Sequence, residues 1–385
     1  MSSPGYIKTT FFIAAVLALM FVLIMEDRQL SDWNLAPQKA AISENQNTTG
    51  FFTRGFVTEN SPTPSVHAPA VAELSDGTIL SVWYGGEREG AGDVALYSSR
   101  LEPTVQSWTD PVKTLDRQRV SDDLGVHIRK LGNAVLLGGE NMDVWMFFVT
   151  TSIGGWSTSS INMTRSSDGG KSWGRTKRLV TSPFLNLSTL TKGHPFFYKD
   201  GTIGLPVYHE LAGKFAELLR LDIKGEVKEK IRMTKGRHKI QPDNAIMGED
   251  LLLAVLRDSS PERKLFQLFS TDGGGNWSTP LDTGFPNPDA AVSIAGNSDG
   301  LVLAYNDSAE HRNPLSLAFS NDQGKSWKKI ADIETSELRN DNNKDEFSYP
   351  YITQSRNGMY HLVYTWKRQQ VAYASFNKAW IDSRL

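Results

Sequence analysis

The chain has 385 residues, with 41 Lys and Arg against 43 Asp and Glu, and a net charge of −2. This balance provides no long-range attraction to a polyanion, so no nucleic-acid partner is expected. Cysteine is absent, which excludes disulfides, thiolate catalysis and cysteine-ligated zinc.

The N-terminal segment differs from the rest of the chain. Lys8 precedes an apolar run from Thr9 to Met25, and charged residues follow. About 17 apolar residues are the lower limit for a helix that crosses a membrane. A cleaved signal peptide is the alternative, but the run ends without the small residues of a cleavage site. We predict a membrane anchor in residues 1–28, spanning at about 9–25, followed by a polar linker over 29–52.

Residues 53–385 are expected to form a domain on the extracytoplasmic side of that membrane, periplasmic or lumenal. The 32 Gly and 10 Trp of the chain favour short strands joined by tight turns. Segments such as 77–83, 201–207, 301–305 and 359–364 read as such strands, and no long helical pattern lies between them. The sequence therefore predicts an all-β domain.

An internal repeat selects among all-β folds. The pattern Ser-x-Asp-x-Gly-x-x-Trp is typical of a hairpin turn, in which Asp bonds backbone N–H groups and Gly takes a positive φ. It occurs three times, at Ser166, Asp168, Gly170 and Trp173, at Ser270, Asp272, Gly274 and Trp277, and at Ser320, Asp322, Gly324 and Trp327.

Weaker matches near Ser98, Leu218 and Ala374 place successive units about 50 to 54 residues apart, close to the length of a propeller blade. The first step is longer, at about 68 residues, and is interpreted as containing insertions. We predict a six-bladed β-propeller in which strands from both ends of the domain close the ring.

These repeats resemble the Asp boxes of the sialidase (neuraminidase) superfamily, and the chain is similar to its BNR-repeat branch over about residues 53–378. Further segments that resemble family motifs are 66–70, 83–90, 287–289 and 347–350. The resemblance implies an exo-glycosidase that hydrolyses a terminal anionic sugar, such as sialic acid, from a glycan without a cofactor. Asp boxes are structural, so function depends on other residues.

The resemblance implies three arginines that hold the substrate carboxylate, because a guanidinium fork binds a carboxylate bidentately. Arg257 and Arg312 match two of them. His67 stands in the place of the first, where an imidazole is expected to act as acid/base or as a hydrogen-bond donor to an anion.

The resemblance also implies a tyrosine nucleophile, which Tyr349 matches. Its glutamate partner falls near Gln241, which cannot act as a base, and Asp243 is the nearest substitute. Asp93 matches the proton donor, and Glu87 and Glu89 of the same loop compete with it. Arg88, Glu87 and Asp243 are predicted to contact substrate, and Arg368 and Asn287–Asp289 are further candidates.

The seven histidines show no metal-ligand spacing, so no metal site is expected. Two other functions stay open. The first is a glycan-binding propeller without catalysis, favoured by the missing arginine and glutamate. The second is an enzyme that processes uronate-bearing polysaccharide, with His67 as acid/base.

Overall fold

The computed structural model describes residues 33–37, 49–105, 107–182, 186–336 and 345–385. The anchor predicted at about 9–25 lies outside these residues, as does most of the predicted linker. Within the described ranges, no helix has the length and apolar character needed to cross a membrane.

The described chain folds into six antiparallel sheets arranged as propeller blades, which confirms the predicted all-β six-bladed propeller. Blade 1 contains β2 (Ser65–Glu73), β3 (Ile79–Gly86), β4 (Ala95–Leu101) and β5 (Val112–Leu115). Blade 2 contains β6 (Lys130–Gly138), β7 (Val144–Thr151), β8 (Ser160–Ser166) and β9 (Lys177–Arg178). Blade 3 contains β10 (Leu190–Thr191), β11 (Phe196–Phe197), β12 (Ile203–His209), β13 (Phe215–Leu221) and β14 (Val227–Arg232).

Blades 4 to 6 repeat this arrangement. Blade 4 contains β15 (Lys239–Ile246), β16 (Leu252–Asp258), β17 (Lys264–Ser270) and β18 (Leu281–Pro286). Blade 5 contains β19 (Ser293–Asn297), β20 (Gly300–Asn306), β21 (Leu315–Ser320) and β22 (Lys328–Glu334). Blade 6 contains β23 (Phe347–Gln354), β24 (Tyr360–Trp366), β25 (Gln370–Phe376) and β1 (Phe52–Phe56). Two short α-helices, α1 (Arg117–Leu124) and α2 (Lys378–Asp382), and a 3₁₀ helix at Trp156–Thr158 complete the part of the fold that the structure describes.

The ring closes as predicted, because β1 from the start of the domain pairs antiparallel with β25 from its end. The pairing covers an edge strand that would otherwise expose unpaired backbone groups. The second strands of the blades carry the core: every residue of β3 and of β7 is buried. Neighbouring blades cover both faces of such strands, so their sequences are apolar runs rather than alternating patterns.

The three Asp boxes form the predicted turns at the ends of β8, β17 and β21. In the first box, Ser166 Oγ accepts a 2.8 Å bond from the N–H of Gly170 and donates to Asp168. Asp168 in turn accepts the N–H of Ser172 at 2.8 Å. The other two boxes repeat these bonds. The box glycines have φ of +83°, +110° and +82°, a backbone region that L side chains rarely adopt.

A second feature repeats six times at the opposite end of the blades. Each inner strand carries, or is preceded by, one residue other than glycine with a positive φ, and in four blades the pairing register shifts there. Such bulges aim side chains toward functional sites, and each positive φ costs about 1–3 kcal/mol. The six residues are Ala68, Asn133, Ser188, Gln241, Asp289 and Tyr349.

Candidate functional site

Tyr349 is the centre of a cluster at the bulge end of the channel, hereafter the mouth. Its hydroxyl oxygen lies 3.5 Å from Arg257 Nη1 and 3.5 Å from Gln241 Nε2. The ring of His67 packs against the Tyr349 ring with centroids 4.3 Å apart. Arg312 Cζ lies 5.7 Å from the same ring centroid. The fold therefore brings together His67, Arg257, Arg312 and Tyr349, which the sequence places on four different blades.

Arg257 fixes the orientation of its neighbours. Its Nε donates to Asp289 Oδ1 at 2.6 Å, and its Nη1 donates to Gln241 Oε1 at 3.1 Å. The Gln241 amide nitrogen then donates to Tyr208 Oη at 3.2 Å and approaches Tyr349. Both groups facing the Tyr349 oxygen are N–H donors, and such donors bind an oxygen more strongly when it carries negative charge. Neither can accept a proton from it.

His67 is buried, with 2% of its surface exposed. Its Nδ1 lies 3.1 Å from Thr365 Oγ1, and its ring meets the edge of Tyr84. Burial, followed by the charges of Arg368 and Arg312, lowers the pKa of His67 well below its ordinary value. The imidazole is therefore uncharged at neutral pH, so it can offer a hydrogen bond but does not replace an arginine charge.

The three loop residues predicted from blade 1 take other positions. Asp93 is exposed, and its Oδ2 accepts the backbone N–H of Glu87 at 2.8 Å, as a turn cap does. The side chains of Glu87 and Arg88 are exposed. Within the described part of the chain, none of these three side chains is hydrogen-bonded or ion-paired to the cluster around Tyr349. Their roles stay predictions.

Glu89 is the residue of that loop that reaches the cluster. Its Oε2 accepts a 2.5 Å bond from Arg368 Nη1, and burial together with the nearby Glu89 raises the pKa of Tyr84. Arg368 also donates from Nε to Glu346 Oε1 at 2.6 Å. Arg368 therefore lies within the mouth, and the sequence marked it only as a further candidate.

Asp243 does not lie in the mouth, which corrects its assignment as a substrate-binding residue and possible base. The bulge at Gln241 shifts the pairing, so Asp243 lies below it, buried at 1% exposure. Its carboxylate accepts bonds from His194 (2.6 Å to Nδ1) and Ser293 (2.7 Å). Although burial alone would raise it, His194 and Lys192 lower the pKa of Asp243. It is a structural carboxylate that joins blades 3, 4 and 5.

Lys192 lies between the buried Asp243–His194 pair and the mouth. Its Nζ donates to the carbonyl of Pro350 at 3.1 Å and lies 4.5 Å from the Tyr351 ring centroid. Burial lowers the pKa of Lys192 to about 8. Beyond it, towards the far end of the channel, His194 and Asn244 line a cavity of about 160 Å³.

Sequence reasoning missed Glu346, Tyr208, Asn133 and Glu210. Asn133 Nδ2 lies 3.3 Å from Tyr208 Oη, and burial raises the pKa of Glu210 despite the opposing charges of Lys214 and Arg257. A signal for three of the bulges, though not for these four residues, was available: Pro69, Pro242 and Pro350 each follow a positive-φ residue. Proline inside sheets is confined to edges and bulges, so X-Pro at the start of a strand marks the mouth.

No cluster of three or more His, Asp or Glu side chains suited to a metal ion is found in the parts of the chain that the structure describes. The side chains of the mouth carry guanidinium, carboxylate, phenol, imidazole and amide groups. Such groups can hold an anion and transfer a proton at a sugar ring.

Comparison with solved structures finds the same fold. A protein of unknown function from Dyadobacter fermentans DSM 18053 superposes with a TM-score of 0.67 at 14% identity, covering 85% of this chain and 99% of that one. The NanB sialidase of Streptococcus pneumoniae gives 0.64 at 12% identity, covering 83% and 70%. The Trypanosoma rangeli sialidase gives 0.66 at 10% identity, covering 86% of this chain but only 61% of that one.

At these identities the similarity establishes the fold alone. The chain also spans only 66% of another similar structure, the Hadza microbial sialidase Hz136. No curated protein matches the sequence. The family model described as BNR repeat-like domain matches residues 77–362. The chain therefore belongs to the BNR repeat-like domain family, with a sialidase-like propeller.

Proposed function

We propose that this protein is an exo-acting glycoside hydrolase that removes a terminal anionic sugar, sialic acid or a related acid, from a glycan. The observation that supports this most directly is the position of Tyr349. Its hydroxyl faces the mouth between Arg257 and Gln241, with Arg312 above its ring. A nucleophile beside guanidinium groups fits a sugar that carries both an anomeric carbon and an acid group.

In this mechanism Arg257 and Arg312 hold the acid group and His67 orients the Tyr349 ring. The Tyr349 oxygen attacks the anomeric carbon and releases its proton to water in the mouth, while the glycosidic oxygen leaves with a proton from the β3–β4 loop. Asp93 matches the donor of the resemblance, and Glu89 is its competitor from the same loop. Water then cleaves the tyrosyl–sugar bond: its hydroxyl joins the anomeric carbon and its proton returns to the donor. The departing Tyr349 oxygen regains from solvent the proton it released in the first step, so that free sugar and enzyme are recovered. Glu87 and Arg88 would contact the remainder of the glycan.

A second candidate is glycan binding without turnover, and Gln241 is the observation that favours it. A tyrosine hydroxyl is a poor nucleophile unless a neighbouring base takes its proton. The Gln241 nitrogen that faces Tyr349 is a donor, because Arg257 holds the amide oxygen. The two candidates therefore differ only in whether the proton of Tyr349 can leave.

The experiment compares the purified full chain with Gln241→Glu in a fluorogenic sialoside assay. Gln354→Glu, at the far end of the same channel, is the control that adds the same charge. Hydrolysis is expected from the wild type, and restoring a base should increase turnover by about 100-fold. If both proteins bind sialic acid and neither releases the fluorophore, the binding candidate is correct. If neither binds nor hydrolyses the sialoside, both candidates fail for this sugar.

We also propose that residues 9–25 anchor the propeller on the extracytoplasmic face of a membrane. The support is the apolar run itself and the lack of a cleavage site after it. The full chain should stay in the membrane pellet after alkaline carbonate extraction, and a chain lacking residues 1–28 should not. Recovery of the full chain in the supernatant would reject the anchor.

A further inference from the structure

A buried lysine crosses the channel beneath the mouth. Lys192 follows β10 of blade 3 and is 3% exposed. Its Nζ donates at 3.1 Å to the backbone oxygen of Pro350 on blade 6, although the two residues are 158 positions apart in the chain. The same Nζ lies 4.5 Å from the centroid of the Tyr351 ring, a cation–π contact. Lys192 therefore ties blade 3 to the two residues that follow Tyr349.

The backbone around Tyr349 is strained and depends on its surroundings. Tyr349 has a φ of +53°, in a region that side chains other than glycine rarely adopt. The pairing of β23 with β24 shifts register here and leaves Tyr349 and Pro350 out of the ladder. Such a conformation persists only where surrounding contacts enforce it. The bond from Lys192 to the Pro350 oxygen, which lies within this bulge, is one of those contacts.

The next residues of β23 are held by the buried carboxylate that lies beside Lys192. Ser293 Oγ accepts the N–H of Ile352 at 3.0 Å and donates to Asp243 at 2.7 Å. His194, whose Nδ1 lies 2.6 Å from Asp243, packs its ring against Tyr351 with centroids 3.9 Å apart. The strand below the proposed nucleophile is therefore fixed by side chains from blades 3, 4 and 5.

The charge of Lys192 is part of this support. Burial lowers the pKa of Lys192 to about 8, against the opposing attraction of Asp243. Burial also lowers the pKa of His67 and raises that of Tyr351, so both of these neighbours are uncharged at neutral pH. His194, the remaining titratable neighbour, is bonded to Asp243. As the pH rises through about 8, Lys192 loses its proton and with it the attraction to the carboxylate and to the ring.

We propose that Lys192 is a positioning residue for Tyr349, whose ammonium group holds the bulge of β23 so that the Tyr349 hydroxyl faces the mouth. The inference rests on the proposed function, because it gives a support to the nucleophile of that reaction. Lys192 acts through Pro350 and Tyr351 and does not contact the sugar. A reacting group misplaced by about 1 Å can lose about 100-fold in rate. Loss of the ammonium group therefore lowers turnover and leaves the groups that bind the sugar unchanged.

The test compares turnover of the fluorogenic sialoside by the full chain and three variants. Lys192→Met keeps the length of the aliphatic chain and removes the ammonium group. Lys192→Arg keeps a charge that does not titrate below a pH of about 12. Lys230→Met is the control, because Lys230 pairs with the buried Glu217 at 3.1 Å within blade 3 and both residues lie on strands other than the inner one.

At pH 7, Lys192→Met should lower kcat by about 100-fold and change KM by less than about 2-fold. Lys192→Arg should keep at least about a tenth of the wild-type kcat, because the charge is restored. Between pH 7 and pH 10 the wild-type kcat should fall by about 10-fold relative to that of Lys192→Arg. Lys230→Met should match the wild type in kcat, in KM and in the pH profile.

A second measurement does not depend on turnover. The full chain is labelled with ¹³C at the tyrosine Cζ positions, and the NMR signal of Tyr349 is assigned by its loss in Tyr349→Phe. This signal should shift in Lys192→Met and stay in place in Lys230→Met, because only Lys192 supports the Tyr349 bulge. If Lys192→Met does not fold, the kcat of Lys192→Arg and its pH profile decide the question.

The positioning role is rejected if Lys192→Met keeps kcat within about 3-fold of the wild type, or if it changes KM more than kcat. It is also rejected if kcat of the wild type and of Lys192→Arg depends on pH in the same way. In those cases the proposed function still stands. If the wild type does not hydrolyse the sialoside, the proposed function fails, and the Tyr349 signal alone decides: a shift in Lys192→Met keeps the positioning role and an unchanged signal rejects it.

Discussion

The two ends of the blades are both built from a repeated backbone feature, yet they differ in what is repeated. At the Asp-box end, the same Ser, Asp and Gly recur in three blades and make the same bonds within about four residues of each other. At the mouth, a positive-φ position recurs in six blades, but its side chain is Ala, Asn, Ser, Gln, Asp or Tyr. The backbone conformation is repeated at both ends of the blades, whereas the side-chain chemistry is repeated only at the Asp-box end.

This difference reflects what each end does. An Asp box satisfies its own backbone donors, so every copy has the same solution and contributes to stability. In the proposed function the mouth presents several different groups to one ligand, and its bulges set their directions without fixing their identities. We therefore expect substitutions at the Asp boxes to change the free energy of unfolding and leave turnover intact, and substitutions in the mouth to do the reverse.

The largest effect should follow Tyr349→Phe. The variant loses only a hydroxyl whose two contacts are 3.5 Å long, so the unfolding midpoint should shift little. Turnover of the fluorogenic sialoside should fall by about 10³-fold, within the range for groups that act on the reacting atoms. Tyr97→Phe, on blade 1, is a matched control. Retained turnover in Tyr349→Phe would show that Tyr349 is not the nucleophile.

The next largest effect should be Gly324→Ala in the third Asp box. The added Cβ would lie 2.3 Å from Leu253 Cδ1, at a φ of +82°. Backbone strain and overpacking together should lower the free energy of unfolding by about 2–4 kcal/mol, measured by urea denaturation. Gly284→Ala is an informative control: its φ is +84°, but no atom lies within 4 Å of the added Cβ. Equal losses in the two variants would show that packing contributes nothing.

A smaller effect is expected from Ser270→Ala in the second box. Its hydroxyl accepts the buried N–H of Gly274 at 2.8 Å and donates to Asp272. Loss of that acceptor should cost about 1–2 kcal/mol of stability in the same denaturation assay. The Michaelis constant and turnover of the folded protein should match the wild type. A change in either would show that the two ends of the blades are coupled.

The smallest expected effect is a loss of stability at low pH. Hydrogen bonds from Ser172 lower the pKa of Asp168 to about 2, and the bonds from Ser326 and Ser320 outweigh burial to lower that of Asp322 to about 2 as well. A carboxylate with a lowered folded-state pKa contributes stability above its unfolded pKa of about 3.9, and this contribution is lost as the pH falls to about 2.

Because both carboxylates lie at the surface and are only partly buried, each contribution should be below about 1 kcal/mol. Asp168→Asn should therefore be less stable than the wild type at pH 6, and the gap should close between pH 4 and pH 2. A stability difference of constant size across that pH range would show that the charge of the Asp168 carboxylate does not contribute to stability.

The sequence by itself determined the features that depend on short stretches of chain. The Asp boxes, the strand-turn spacing and hence the six blades follow from turn chemistry and local periodicity, which act within a few residues. The sequence also identified His67, Arg257, Arg312 and Tyr349, through motifs attached to individual strands, and these four do converge.

Only the tertiary structure decided which groups meet in the mouth. Glu89 and Arg368 are 279 residues apart in sequence and 2.5 Å apart in space, and no local pattern encodes that contact. Glu346 likewise could not be identified from the sequence, because its contacts form only when ring closure brings blades 5, 6 and 1 together. Asp243 shows the physical reason most clearly. A one-residue bulge changes the face to which every following side chain points, so a carboxylate two positions from Gln241 became part of the buried framework instead of the site.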